Sequence, residues 1–304
     1  MRLTGGALVE ASAPQPAPGP GELLIRVFAA GVTPTELVWY PTTHTKAGEP
    51  RMGAIPGHEF SGVVSSVGSG VEGFAPGQEV FGMNDWFADG ASAEYCLTTA
   101  MFVTAKPARL SHVEAASVPI GALTAWQGLF DHASLQPGER LLVHGGAGSV
   151  GLFAVQLGRH RGAHVIATAS ARDSGFVTGL GAQQVIDYRK GRFEESVGKV
   201  DVVLDTVGGQ TLERSWGVLN PGGRLVTVAA DEEKTERAKK VFFIVEPNAS
   251  QLRAIADLLQ TGQMRTSVAA VVPFSMAADA YVGRVEKSGP GKLVVDVEPE
   301  RTEQ

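Results

Sequence analysis

A glycine-rich turn near the middle of the chain has the residue types needed to bind a pyrophosphate. Residues 141–143 form a short apolar run that predicts a buried strand, and residues 150–157 predict a helix. Between them, the pattern G-x-G-x-x-G would permit a tight turn (Gly146), let the backbone approach a phosphate (Gly148) and let the helix pack on the strand (Gly151). Amide groups and the positive end of the helix dipole would then hold the anion. The predicted phosphate ligands are Gly146, Ala147, Gly148, Ser149, Val150 and Gly151.

Because glycine turns before helices are common, a packing turn without a ligand is the alternative. The strand before this turn and the helix after it favour the nucleotide site.

The residues after the next predicted strand bear on which nucleotide binds. An NAD site has a carboxylate about twenty residues after the glycines, which accepts a hydrogen bond from the ribose 2′-hydroxyl. Here the strand predicted over residues 163–168 is followed by Ser170 and Arg172, and we expect Asp173 to begin the next helix. A hydroxyl and a forked guanidinium suit a 2′-phosphate, so the sequence favours NADPH. For Arg172 alone, an ordinary surface arginine in an exposed loop is the alternative.

The composition is that of a globular protein without a nucleic-acid partner. The chain has 304 residues, which suits two domains, and a net charge of −6, which argues against binding to nucleic acid or to an anionic membrane. The single cysteine, Cys96, cannot form a disulfide within the chain, so we expect a cytoplasmic protein. Neither a membrane-spanning segment nor a signal peptide is expected.

Two kinds of element order predict two domains. Short strands separated by glycine and proline turns occupy the first third and predict a β-barrel-like domain. Strands and helices then alternate, which predicts a doubly wound parallel sheet. The predicted strands cover 140–144, 163–168, 184–186, 200–205, 223–229 and Lys240 to Val245; the predicted helices cover 113–117, 122–132, 150–159, 173–180, 210–218 and 250–261. Since β-like sequence returns after about residue 267, we assign residues 1–114 and 268–304 to the first domain and 115–267 to an inserted nucleotide domain.

Short motifs occur along nearly the whole chain. They are Ala30-Gly31-Val32, Pro56-Gly57-His58-Glu59-Phe60-Ser61-Gly62, Pro76-Gly77-Gln78-Glu79-Val80, Leu123-Thr124-Ala125-Trp126, the glycine turn, Leu204-Asp205-Thr206-Val207-Gly208-Gly209 and Gly291-Lys292-Leu293-Val294-Val295. In their order and spacing, these motifs resemble the medium-chain dehydrogenase/reductase superfamily, in its quinone-oxidoreductase branch. The resemblance implies a Rossmann domain inserted in a GroES-like, β-rich catalytic domain. The family begins with a strand and a Gly-Gly-Pro turn. This chain starts later, at Gly5-Gly6, so the first strand is expected to be short or missing.

The resemblance also allows a test for zinc. Many relatives bind a catalytic zinc through Cys, His and Cys, and the matching positions here are Thr33, His58 and Ile120. Only His58 could coordinate a metal, and one ligand cannot hold a tetrahedral ion. A structural zinc site needs four cysteines, which this chain lacks. We therefore expect no zinc, and we interpret His58 and Glu59 as a retained structural pair in which the imidazole is bonded to a neighbour.

Without a Lewis acid, reduction of a conjugated acceptor is the easier chemistry, because charge spreads into an enolate or a hydroquinone anion. Thr33, Tyr40, His44 and His58 are candidate donors to the substrate oxygen, although a structural role is the alternative for each. The resemblance places Thr124, which we expect to open a helix, near the nicotinamide, and Tyr188 beside the 2′-phosphate. The predicted catalytic residues are Thr33, Tyr40 and Thr124; the cofactor set is completed by Thr124, Ser170, Arg172, Tyr188, Val207 and Phe243.

Two classes of function remain open. One is an NADPH-dependent reductase of quinones or α,β-unsaturated carbonyls, acting without zinc on a small molecule. The other is an NADPH-binding protein without turnover, such as a sensor, a reservoir or a crystallin-like structural protein. The apolar run from Lys240 to Val245, as the last strand of the parallel sheet, would expose an edge, and we expect it to form a homodimer interface.

Overall fold

The computed structural model describes residues 1–229 and 235–297. Contacts between Cα atoms divide the chain into one unit of Met1–Ile120 with Pro247–Gln304 and a second unit of Gly121–Glu246. The sequence predicted boundaries at 114/115 and 267/268. Helix Ala249–Gln260 therefore groups with the first unit by contacts, although we assigned it to the inserted domain.

Fourteen strands are formed by the described residues: β1 (Arg2–Thr4), β2 (Ala7–Val9), β3 (Glu22–Val32), β4 (Glu59–Val67), β5 (Glu79–Met83), β6 (Tyr95–Thr99), β7 (Val103–Ala105), β8 (Arg140–Val143), β9 (His164–Ala169), β10 (Gln184–Asp187), β11 (Val200–Asp205), β12 (Leu219–Thr227), β13 (Val268–Pro273) and β14 (Lys292–Asp296). The α-helices are α1 (Tyr40–Thr43), α2 (His112–Ala116), α3 (Pro119–Trp126), α4 (Gly151–His160), α5 (Ser174–Leu180), α6 (Glu194–Val197), α7 (Gly209–Ser215), α8 (Glu236–Lys239), α9 (Ala249–Gln260) and α10 (Ala277–Tyr281). Short 3₁₀ helices cover Pro34–Val38, Ala100–Phe102, Ala171–Asp173, Trp216–Val218 and Phe274–Met276.

The first unit is built on a seven-stranded, mostly antiparallel sheet within the described residues. Its order is β13-β14-β3-β4-β5-β7, and β6 also pairs with β3. Strand β3 is central because it pairs with β4, β6 and β14, and it is buried along most of its length. The first strand is present but short: β1 and β2 form a three-residue antiparallel ladder.

The second unit confirms the doubly wound parallel sheet. Its strands run in the order β10-β9-β8-β11-β12, and every pair is parallel. Its apolar core includes Leu142, Ile166 and Val203, one residue from each of the three inner strands. The order reverses at β8, and in such sheets ligands bind outside the carboxyl ends of the strands where the order reverses.

The predicted strand from Lys240 to Val245 is wrong in extent. The segment makes one parallel bridge, between Phe242 and Thr227. The segment is shorter than predicted because Lys240 is the C-cap of α8 and so belongs to the end of a helix. Beyond the segment, the side-chain amide of Gln127 donates to the carbonyl of Glu246 at 2.8 Å and accepts from its N–H at 3.0 Å.

The helix predicted over residues 122–132 begins earlier and changes type. It starts at Pro119, so Thr124 is its sixth residue rather than its first. From Gln127 to His132 the chain continues as a π-helix, a rare form that is frequent at functional sites. Among the described residues, no helix is long and apolar enough to cross a membrane. The cytoplasmic location stays a prediction.

Candidate functional site

The glycine turn follows β8, as predicted, but the structural role of each glycine differs from the one predicted. The positive φ of the tight turn belongs to Gly145 (+75°), not to Gly146. A Cβ on Gly146 would lie 2.9 Å from the Cβ of Ala167, so this glycine allows close packing on β9. A Cβ on Gly151 would lie 2.1 Å from the carbonyl oxygen of Gly145, so this glycine lets α4 start directly against the turn.

Gly148 is the glycine that leaves room for a ligand. It is exposed, and a Cβ there would meet only the carbonyl oxygen of Gly145, at 3.2 Å. The amides of Ala147, Ser149 and Val150 have no hydrogen-bond acceptor within the described part of the chain. Val150 is the N-cap of α4, and its side chain cannot accept a hydrogen bond. Pyrophosphates bind to free amides at a helix N-terminus, where a glycine without a side chain lets the phosphate approach the backbone.

A buried histidine, His144, is linked to the glycine turn by hydrogen bonds through Thr168. Ser215 donates its hydroxyl proton to the carbonyl of Thr211, so it accepts from Nε2 of His144 at 2.9 Å. Burial, assisted by the charge of Arg214, lowers the pKa of His144 to about 3. Nδ1 of the neutral ring therefore accepts from Thr168, 3.2 Å away, and Thr168 accepts from the amide of Gly145 at 3.2 Å. The sequence did not point to His144 in this role.

The predicted 2′-phosphate ligands lie beside a carboxylate. Ser170 caps the 3₁₀ helix after β9, and its hydroxyl donates to Oδ2 of Asp173 at 2.7 Å. Oδ1 of the same carboxylate lies 3.4 Å from Nε of Arg172, whose side chain is 75% exposed. Asp173 begins the next helix, as expected, because it is the N-cap of α5. The capping turn also brings its carboxylate to Ser170, one residue after β9, which the sequence argument did not foresee.

Tyr188 lies at the same sheet edge. It follows β10, and its amide donates to the carbonyl of Ala169 at the end of β9. The ring is 54% exposed, and the guanidinium of Arg189 lies 5.5 Å from its centroid. The structure thus brings Ser170, Arg172 and Tyr188 to one edge, and it adds Arg189 as a second cation.

Val207 lies next to the glycine turn. A Cβ on Gly145 would be 3.5 Å from Cγ2 of Val207, whose side chain is 53% exposed. The fully buried carboxylate of Asp205 fixes this loop by accepting from the amides of Val207 and Gly208 and from the hydroxyl of Thr227.

Two other predicted residues of this unit are buried among side chains. Thr124 is 3% exposed in α3. Phe243 is 8% exposed, and its ring centroid lies 4.3 Å from that of His132. Packing against the π-helix explains Phe243, and its membership of the cofactor set stays a prediction.

In the first unit, Thr33 and Tyr40 flank the 3₁₀ helix Pro34–Val38. Thr33 is the N-cap and half-buried, and its hydroxyl accepts from Nζ of Lys292 at 3.0 Å. Tyr40 begins α1, is 55% exposed and stacks on His44 with ring centroids 4.5 Å apart.

His58 is held by two acceptors. Its Nδ1 lies 2.5 Å from Oε1 of Glu36, and its Nε2 lies 3.2 Å from the carbonyl oxygen of Ala88. Both His58 and Glu36 are buried. The carboxylate of Glu59, the next residue in sequence, points elsewhere: one oxygen accepts from the amide of Ile120 at 2.9 Å and the other faces Lys292. Burial raises the pKa of Glu59, although Lys292 opposes this. The structural pair of His58 is therefore Glu36, which sequence reasoning missed because the two residues are distant in sequence.

Comparison with known proteins agrees with this architecture. Residues 19–108 match the alcohol dehydrogenase GroES-like domain family, and residues 180–295 match the zinc-binding dehydrogenase family. The chain is 30% identical to a probable zinc-binding oxidoreductase, mitochondrial, from Arthroderma benhamiae, over 93% of this chain and 91% of the relative. It is 32% identical to a 2-methylene-furan-3-one reductase of Solanum lycopersicum, over 90% and 71%.

A solved structure shows the same likeness. The quinone oxidoreductase from Coxiella burnetii superposes with a TM-score of 0.82 at 31% identity, covering 94% of this chain and 93% of that one. Fold, motifs and relatives agree: the chain belongs to the medium-chain dehydrogenase/reductase superfamily, in its quinone-oxidoreductase branch, and is an oxidoreductase that uses a nicotinamide nucleotide.

Proposed function

We propose that the protein is an NADPH-dependent reductase that transfers hydride to a quinone or an α,β-unsaturated carbonyl without zinc. The observation that carries this proposal is that neither ring nitrogen of His58 is available to bind a metal. Of the three positions that match zinc ligands in relatives, only His58 has a coordinating atom, and both of its ring nitrogens already face acceptors. Thr33 offers a hydroxyl held by Lys292, and Ile120 offers no donor atom. This set does not fit a tetrahedral zinc ion.

The nucleotide fits the second unit. The amides of Ala147, Ser149 and Val150 would hold the pyrophosphate beside Gly148. After strands β9 and β10, Ser170, Arg172 and Tyr188 would bind the 2′-phosphate of the nucleotide, and Arg189 adds a cation. Arg172 must then turn from Asp173 towards the phosphate, which its exposure allows.

When bound, the nucleotide supplies a hydride, that is, two electrons and one proton nucleus, to the acceptor carbon. The electron pair displaced from the acceptor moves to its oxygen, and water supplies the proton that completes the product. The chain has to orient the acceptor and stabilise the oxygen as charge develops. Thr33 and Tyr40 are the proposed donors to this oxygen, and Thr124 is proposed to lie near the nicotinamide.

A screen of NADPH oxidation tests the proposal. The purified protein is given a panel of quinones and of enones, and the products are identified, since quinones yield hydroquinones and enones yield saturated ketones. Turnover of either class supports the reductase. Stoichiometric NADPH binding without oxidation of any member would support the sensor, reservoir or structural protein instead.

We also propose a homodimer formed through the segment from Lys240 to Val245. Support comes from Ile244, whose side chain is 60% exposed. Because the segment makes only one bridge to β12, such a contact depends on side chains rather than on a continuous strand.

A further inference from the structure

The first unit contains a buried ion pair of Glu59 and Lys292, and the ammonium of Lys292 also contacts the hydroxyl of Thr33. Nζ of Lys292 lies 3.0 Å from Oγ1 of Thr33 and next to Oε1 of Glu59. The side chain of Lys292 is 5% exposed and that of Glu59 is fully buried. The other oxygen of Glu59 accepts from the amide of Ile120.

Sheet register places these residues together. Strand β3 pairs with β14, so that Val32 stands opposite Leu293, and with β4, so that Gly31 stands opposite Glu59. The Glu59 side chain occupies the space that a Cβ on Gly31 would take, since that Cβ would lie 2.5 Å from its carboxylate. Through this gap the carboxylate reaches the start of β14, where Lys292 begins the strand.

The direction of the hydrogen bond follows from the donor set. A lysine ammonium has donors and no acceptor, so the hydroxyl of Thr33 accepts from it. The proton of that hydroxyl must therefore point away from Lys292. It has no acceptor within the described residues. Thr33 is half-buried, so a ligand can reach it.

We propose that Lys292 is a positioning residue that fixes and polarises the Thr33 hydroxyl, so that it donates a hydrogen bond to the substrate oxygen. This inference rests on the proposed reductase function. Hydride addition sends an electron pair to that oxygen, and a donor aimed there stabilises the transition state more than the neutral substrate. Thr33 keeps its proton throughout, and water protonates the product. Glu59 serves to hold the Lys292 ammonium in a site without solvent.

The competing explanation is that Lys292 only neutralises Glu59. The double variant Lys292→Met, Glu59→Gln removes both charges together, which avoids a buried unpaired carboxylate. We expect Thr33→Val to lower kcat about ten- to a hundred-fold with little change in KM, as for the loss of a polarised donor. The double variant should lower kcat to a similar extent. Adding Thr33→Val to it should cost little more, because both changes act on the same hydroxyl.

Controls separate this role from folding. Thr33→Ser should retain most of the activity, because it keeps the hydroxyl. Lys199→Met makes the same chemical change at an exposed lysine of the second unit and should leave kcat unchanged. Thermal unfolding and NADPH binding, measured by fluorescence, check that each variant is folded. Wild-type kcat in Thr33→Val or in the double variant, or losses that multiply in the triple variant, would overturn the inference.

A spectroscopic readout separates this inference from the proposed function. 4-Nitrophenol serves as the probe, because its phenolate absorbs in the visible range and resembles the charged oxygen. Wild-type protein should lower the pKa of the bound phenol relative to Thr33→Val and to the double variant. If NADPH is not oxidised but this difference is present, the reductase proposal fails and the donor role of Thr33 stands. If the bound phenol has the same pKa in the wild type, in Thr33→Val and in the double variant, the proposal that Lys292 polarises Thr33 is wrong, whether or not the protein oxidises NADPH.

Discussion

The hydroxyl of Ser170 donates a hydrogen bond to the carboxylate of Asp173 at 2.7 Å, directly where the adenosine ribose of the nucleotide is expected to bind. The predicted ribose site therefore contains both cations and a carboxylate, which act in opposite directions on a 2′-phosphate. Arg172 and Arg189 favour a 2′-phosphate, whereas the carboxylate repels it and could accept from a 2′-hydroxyl. We therefore propose that nucleotide preference depends on the balance of these groups rather than on the lack of an acid.

The first prediction concerns this balance. Arg172→Ala should weaken NADPH binding about ten- to a hundred-fold and leave NADH nearly unchanged, because a charge-assisted hydrogen bond contributes about 1.5–3 kcal/mol. Asp173→Asn should tighten NADPH binding, because it removes the repulsive charge. Fluorescence titration of both nucleotides measures each effect. Equal NADPH affinities of the wild type and Arg172→Ala would contradict the assignment of Arg172.

The second prediction compares two glycines of one turn. Gly148→Ala should fold normally and bind nucleotide at least tenfold more weakly, because its methyl group enters the open side of the turn. Gly151→Ala should lose stability by more than about 2 kcal/mol, because its methyl group would meet backbone at 2.1 Å. Urea unfolding and nucleotide titration separate the two results. Equal losses of affinity in two equally stable variants would show that the turn does not hold the pyrophosphate.

The third prediction concerns zinc and His58. Elemental analysis should find no stoichiometric zinc, and chelators should leave activity unchanged. His58→Ala should instead reduce stability by about 3 kcal/mol, because the buried carboxylate of Glu36 loses the imidazole and keeps the amide of Gly57 as its donor. Replacing Glu36 by Gln in the same protein should recover part of this loss. One zinc per chain would refute the metal-free proposal.

The fourth prediction concerns pH and His144. Its pKa is lowered from 6.5 to about 3 by burial, so below pH 6.5 the unfolded chain binds a proton that the folded protein does not. This contribution to stability is present above pH 6.5 and is lost as the pH falls towards 3. At pH 5 the loss should be about 2 kcal/mol relative to pH 7.5. Urea unfolding of wild type and of His144→Asn at both pH values isolates the effect, and an identical pH dependence in the two proteins would rule it out.

The fifth prediction concerns assembly. If the segment from Lys240 to Val245 is the interface, Ile244→Lys should yield monomers in sedimentation experiments at micromolar concentration, because a charge replaces an exposed apolar contact. Val282→Lys is the matched control, since Val282 is 53% exposed in the first unit. A wild-type monomer, or a dimer that persists in Ile244→Lys, would place the interface elsewhere or show that there is none.

Local patterns were the part of this fold that the sequence predicts well. The strand, glycine turn and helix around Gly148 are contiguous in sequence, and the alternation that gives the parallel sheet extends over many residues. The failures involve partners distant in sequence. No local pattern shows that Glu36 faces His58, that Lys292 reaches Thr33, or that Gln127 satisfies the backbone of Glu246. The position of Asp173 at the start of α5 was predicted, but its contact with Ser170 was not, because that contact depends on the geometry of a short capping turn.

The space beside Gly31 has a consequence for how this chain can vary in evolution. A side chain at position 31 and the carboxylate of Glu59 cannot both be accommodated, since a Cβ at Gly31 would lie 2.5 Å from Glu59. Losing Glu59 in turn leaves Lys292 as a buried cation without a counter-charge. Positions 31, 59 and 292 are therefore expected to change together in relatives, so that an alignment should show them as a covarying set while their immediate neighbours in sequence drift independently.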